Sequence, residues 1–62
     1  MTTYPVGTFV RVVAKADPFR AWAGTVDQLF TDEDGDQVHR VQFGDGNCAY
    51  YLADEVVAAR GH

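Results

Sequence analysis

Gln37-Val38-His39-Arg40-Val41-Gln42-Phe43-Gly44-Asp45-Gly46-Asn47-Cys48-Ala49-Tyr50-Tyr51-Leu52 is the stretch whose reading decides the fold. It holds two runs of β-branched and aromatic residues, the types that suit a pleated, half-buried surface. Between them lies Gly44-Asp45-Gly46, a strong hairpin signal because Asp-Gly tolerates the positive φ that a tight turn demands. Period-two alternation over Gln37 to Phe43 puts His39, Val41 and Phe43 on one face. Asn47 to Leu52 completes the hairpin, with Cys48 expected as a small core residue sharing a side with Tyr50 and Leu52. His39 is expected as a partly exposed strand residue.

Outward from the hairpin, Gly and Asp punctuation divides the rest of the chain in the same way. Thr8 to Lys15 reads as a first strand, with Val10, Val12 and Ala14 on one side and Phe9, Arg11, Val13 and Lys15 on the other. Ala16 to Ala21 contains Asp17-Pro18, where proline removes a ladder donor and restricts its predecessor, so a loop is expected. Trp22 to Phe30 reads as a second strand, in which Gly24 marks a close backbone approach and shares a side with Val26. Thr31 to Asp36 is the next turn. After the hairpin, Ala53-Asp54-Glu55 reads as one helical turn leading into Val56 and Val57. Those two residues suit a fifth short strand, although Leu52, Val56 and Ala59 also have the spacing of a short C-terminal helix. Five short strands with no crossover helix predict an all-β fold: a small five-stranded SH3-like barrel with a short helical turn before the last strand. It is a single domain over residues 1–62, with its core in 6–57.

Length and composition narrow the functions open to such a fold. Sixty-two residues with 47% hydrophobic and 13% aromatic content make one small globular core. They exclude doubly wound nucleotide folds and two-domain clefts, so any catalytic site would have to be shared between copies. The formal charge is −4, with 5 Lys and Arg against 9 Asp and Glu, and the cations Arg11, Lys15, Arg20, Arg40 and Arg60 are scattered. That sign disfavours nucleic acid, whose binding draws on clustered positive charge. Cys48 is the single cysteine, which rules out an intramolecular disulfide and a thiolate zinc cluster within one chain and suits a reducing, cytoplasmic location. The longest apolar run, Cys48 to Ala53, is far short of the roughly 18 residues a membrane helix needs. Met1-Thr2-Thr3-Tyr4-Pro5 lacks the basic and apolar regions of a secretory signal. No membrane association is expected.

Two family resemblances follow from particular residues. Val6-Gly7-x-x-Val10-x-Val12, Pro18-Phe19, Gly24-Thr25-Val26 and Val41-x-Phe43-Gly44 resemble the KOW module of NusG-type transcription factors over most of residues 6 to 57. The resemblance implies an SH3-like barrel and partners such as RNA, ribosomal proteins or RNA polymerase. Asp17 stands where that pattern usually has glycine. Gly7-x-x-Val10-Arg11, Ala21-Trp22-x-Gly24 and Tyr51-Leu52-Ala53 look like the plasmid-borne type II dihydrofolate reductases. That resemblance implies a homotetramer with a shared pore, NADPH as cofactor and Tyr51 as the catalytic-site residue. Its lysine position is Val12 here, and its Val-Gln-Ile-Tyr quartet reads Cys48-Ala49-Tyr50-Tyr51, in which Tyr51 matches.

The remaining motifs have bland readings that outweigh the chemical ones. Asp32-Glu33-Asp34-Gly35-Asp36 suggests calcium by its alternating carboxylates, but an EF-hand beginning at Asp32 would want Gly and Glu where Gln37 and Phe43 stand. It reads as a solvated hairpin tip. Gly44-x-Gly46-x-x-Ala49 matches the dinucleotide fingerprint in form only, since Ala49-Tyr50-Tyr51 favours a strand and no βαβ unit fits. A Cys48–His39 nucleophilic pair is conceivable across the hairpin, yet both residues are more economically structural; His62 is the only other imidazole.

The aromatics carry the functional expectation. Phe19 and Trp22 flank the first long loop, and Tyr4, Tyr50 and Tyr51 are amphipathic groups of the kind enriched at interfaces. Arg20 beside Phe19 adds a cation-π or carboxylate contact. With no catalytic or metal-ligating set, the chain is expected to be a non-enzymatic module without a cofactor. A protein partner, or a second copy, is expected to be bound through Phe19, Arg20, Trp22, Tyr50 and Tyr51.

Overall fold

The computed structural model describes residues 3–59; Arg60 and His62 lie outside them. Five antiparallel strands follow one another as β1 (Phe9–Val12), β2 (Ala23–Thr31), β3 (Gln37–Phe43), β4 (Cys48–Leu52) and β5 (Val56–Ala58), in the spatial order β4-β3-β2-β1-β5. A single 3₁₀ turn, Ala53–Glu55, joins β4 to β5. The C-terminal segment is therefore a strand, as Val10, Arg11 and Val12 of β1 pair with Ala58, Val57 and Val56. No helix among the described residues is long and apolar enough to cross a membrane.

Each connection is built from the chemistry of its own residues. In the β2–β3 turn, Asp32 Oδ1 accepts from the Asp34 and Asp36 amides at 3.0 and 2.9 Å, while Gly35 supplies the positive φ. In the β3–β4 turn, Asp45 Oδ1 accepts from the Asn47 amide at 3.0 Å, and Gly46 takes φ +94°. Glu55 reaches back to accept the Leu52 amide at 2.9 Å, which closes the 3₁₀ turn where the strand has run out of partners. Strand β1 is shorter than its alternation predicts. Its ladder ends because the Val13 amide turns to the Glu55 carbonyl and the Ala14 carbonyl accepts the Asp17 amide of the following turn.

Val10, Val12, Val26, Val41, Phe43, Tyr51 and Val56 form the core, with Tyr4, Ala14, Phe19 and Ala49 packed against its rim. The seven core residues come from one face of a single sheet, while Tyr4, Ala14 and Phe19 reach it from the connecting segments. One sheet with no second layer can bury that face so completely only by curling upon itself. At Gly24 the backbone of β2 approaches β3 closely: a methyl group there would stand 2.5 Å from the Gln42 carbonyl oxygen and 2.9 Å from Val41 Cγ1. The bulge between Val26 and Gln28 adds twist and aims Asp27 across to Arg40. Their bidentate pair, 2.8 and 2.9 Å, holds the Asp27 carboxyl below the usual range chiefly through the hydrogen bond from the guanidinium.

Two residues of the hairpin differ from expectation. Cys48 is exposed, because the Phe43 amide donates to the Asn47 carbonyl and so pairs Gln42, an outward residue, with Cys48. Cys48, Tyr50 and Leu52 do share a side, but it is the outer one, and Ala49 and Tyr51 point inward. His39 is fully buried instead of partly exposed. Its Nε2 accepts the Tyr4 amide at 3.0 Å and its Nδ1 lies 3.1 Å from the Tyr51 carbonyl. Since an amide can only donate and a carbonyl only accept, the proton sits on Nδ1 and both ring nitrogens are satisfied. The imidazole thus ties the N-terminal segment to β4 from inside the core.

Candidate functional site

Residues 13–22, the long connection between β1 and β2, carry Phe19, Arg20 and Trp22. Two features fix their path. Asp17 Oδ1 accepts both the Phe19 amide at 2.8 Å and the Tyr51 hydroxyl at 2.9 Å. Ala21 adopts φ +73°, a left-handed conformation that costs a non-glycine residue about 1–2 kcal/mol. Its amide donates to the Val12 carbonyl, and the Val12 amide donates to the Trp22 carbonyl, so the loop is clamped at its base while the chain reverses at Ala21.

Upon this frame stands an aromatic cluster. Phe19 stacks on buried Phe43 with centroids 4.9 Å apart, and Trp22 meets both rings edge-on at 5.0 and 5.6 Å. Phe43 is core and Phe19 is half-buried, whereas Trp22 keeps 43% of its surface exposed. An indole held by two rings and still open to solvent has little side-chain entropy left to lose on contact with a partner.

Arg20 is exposed between Phe19 and Ala21 and lines a shallow groove of about 330 Å³ together with Arg11, Val12, Val13 and Ala21. Alternation along β1 puts Arg11 and Val13 on one side of the strand without connecting them with Arg20. The left-handed alanine makes that connection, and nothing in an Ala-Trp-Ala-Gly sequence announces it. Asp17, set aside as a departure from a family pattern, is the residue that anchors the loop.

The expected tyrosines part company. Tyr51 is a core side chain, 2% exposed, and acts on the loop from beneath through its hydroxyl; it is not a surface contact. Burial, followed by the Asp17 carboxylate beside it, pushes its phenol well above the ordinary value. Tyr50 is exposed on the outer face of β4, where its aromatic neighbour is Phe30, 5.8 Å away. Tyr4 packs edge-on against His39 at 5.7 Å. Phe19 and Trp22 are therefore brought together, Arg20 follows Phe19 in the loop but turns to the groove with Arg11, and Tyr50 belongs to another surface.

Of the other constellations, one is separated by the fold and one is kept together. His39 pairs with Tyr51 in the ladder while Cys48 pairs with Gln42, which puts His39 and Cys48 on opposite faces and three residues out of step. The carboxylates of Asp32, Asp34 and Asp36 lie within 4.8 Å of one another, and Asp32 is engaged with two amides of its own turn. Comparison with protein-family models, with curated proteins and with solved structures gives no match for this chain.

Proposed function

We propose that this chain is a small non-enzymatic binding module of the SH3-like kind, engaging a protein partner through the loop between β1 and β2. Trp22 is the anchor, with Phe19 as its support and Arg20 beside it. One observation carries the reading: an exposed tryptophan held edge-on by Phe19 and Phe43, on a loop staked to the core by the Tyr51–Asp17 bond. Tryptophan and arginine dominate the energetics of protein interfaces, and preorganised anchors lose least entropy on binding. The strand order and the helical turn before β5 support the SH3-like part of the reading. The net charge of −4 favours a protein over a polyphosphate partner.

Quantitative pull-downs with wild type, Trp22→Ala and Arg20→Glu, each checked for its melting temperature, test this reading. A partner recovered by wild type and lost by folded Trp22→Ala is the expected result. Undiminished recovery by that variant would refute the surface.

A further inference from the structure

We infer that the groove beside this loop is the receptor for an acidic, carboxylate-bearing segment of the partner, gripped by Arg11 and Arg20. The inference rests on the binding-module reading and specifies the chemistry of what is bound.

The argument begins with how the positive charge is disposed. Arg40 is consumed by its bidentate pair with Asp27, the only salt bridge among the described residues. Arg11 and Arg20 have no carboxylate partner there, although the chain carries 9 acidic residues. In a protein with so large an acidic excess, two unpaired guanidiniums meeting in one groove form a local inversion of charge. They come from separate elements, Arg11 from the outer side of β1 and Arg20 from the loop, and the left-handed Ala21 lies between Arg20 and the strand. Strain retained beside a charged groove is the kind of feature that function maintains.

The walls of the groove limit the ligand further. Val12, Val13 and Ala21 supply apolar lining, and exposed Val57 lies opposite Arg11 in the β1–β5 ladder, extending the same surface. At about 330 Å³ the groove is at the small end of ligand sites and open, suited to two or three side chains of an extended peptide and not to a whole cofactor. Guanidinium forks match carboxylates in geometry as well as charge. Nucleic acid fits less well, because the acidic remainder of the surface repels a long phosphate backbone extending beyond two arginines.

Selection from a random dodecapeptide display library on immobilised wild-type protein and on the double variant Arg11→Glu/Arg20→Glu tests the inference. Both side chains are exposed, so the variant leaves the core untouched. Wild type should enrich peptides rich in Asp and Glu around an aliphatic residue. The best of these, synthesised with a fluorescent label, should bind the variant at least about tenfold more weakly and lose affinity with added salt. Amide shifts on titrating wild type with that peptide should centre on residues 11–13 and 20–21, a readout independent of any variant. Enrichment of peptides without acidic excess, which Trp22→Ala abolishes and the double charge reversal does not, would overturn the groove inference and leave the binding module standing. No enrichment by wild type would overturn both. Tighter binding of a labelled single-stranded RNA than of any selected peptide would overturn the acidic-segment assignment, as would groove-dependent self-association through the Asp32–Asp36 turn of a second copy.

Discussion

Replacing Gly24 by alanine strikes a close backbone approach between β2 and β3. The added methyl would lie 2.5 Å from the Gln42 carbonyl oxygen, 2.9 Å from Val41 Cγ1 and 3.0 Å from the Gln42 carbonyl carbon. Two of the three obstacles are backbone atoms of β3, whose position is fixed by ladders on both sides, to β2 and to β4. A rotamer change cannot relieve the clash, so β2 and β3 must separate locally. Overpacking of this kind costs about 1–3 kcal/mol, and the backbone obstruction puts Gly24→Ala at the upper end. The intrinsic gain from replacing glycine within a strand, about 0.5–1 kcal/mol, does not offset it. A domain of this size has a total stability of about 3–9 kcal/mol. The variant should therefore lose about 10–25 °C in melting temperature, or fail to fold at room temperature. Gly44→Ala is the control, since a methyl there meets no heavy atom within 4 Å. Urea titrations followed by Trp22 fluorescence measure both. Gly24→Ala within about 0.5 kcal/mol of wild type would refute the claim that β2 and β3 close on backbone contact at this position.

Other perturbations have definite outcomes. Tyr51→Phe removes the hydroxyl that donates to Asp17 and should cost about 1–2 kcal/mol at pH 7 by denaturant titration. Because the folded phenol is held above its unfolded value of about 10, the wild-type advantage is whole below that pH and is lost as pH rises through the folded value. The two proteins should converge in stability above about pH 10; a constant difference would contradict the buried phenol. Ala21→Gly relieves the left-handed Cβ and should be neutral to about 1 kcal/mol stabilising by thermal melt, where any other alanine-to-glycine change in this fold would destabilise. His39→Leu leaves the Tyr4 amide and the Tyr51 carbonyl without partners and should cost about 2–4 kcal/mol, with hydrogen exchange at Tyr4 accelerated. An unaltered exchange rate there would show that the imidazole does not hold the N-terminal segment.

Much of the fold was legible, and for local reasons. Gln37–Phe43 has the bounds its alternation implies, and Gly24 marks the backbone approach that a glycine inside a strand signals. The turn at Ala53–Glu55 and the strand after it follow from polar residues placed between apolar ones. The parity of β4 was harder to see because both of its sides are apolar, Cys48, Tyr50 and Leu52 against Ala49 and Tyr51. Only the turn's own register, Phe43 to Asn47, decides which set faces inward. Alternation puts His39 on the face of Val41 and Phe43, which is the buried one; what no local pattern reports is the pair of backbone partners that lets an imidazole stay there, one of them 35 residues away. At the site, Phe19, Arg20 and Trp22 stand out by residue type. Their link to Arg11 depends on a backbone reversal at an alanine, and their link to Tyr51 on a carboxylate at Asp17.

The central claim is that one chain completes its own core and leaves its function to the outer surface. Its native mass, measured by sedimentation equilibrium, tests this most directly. The account predicts a particle of 6.8 kDa, one chain with Tyr51 enclosed in its own interior. A stable particle of about 27 kDa, four chains of 6.8 kDa, would contradict it.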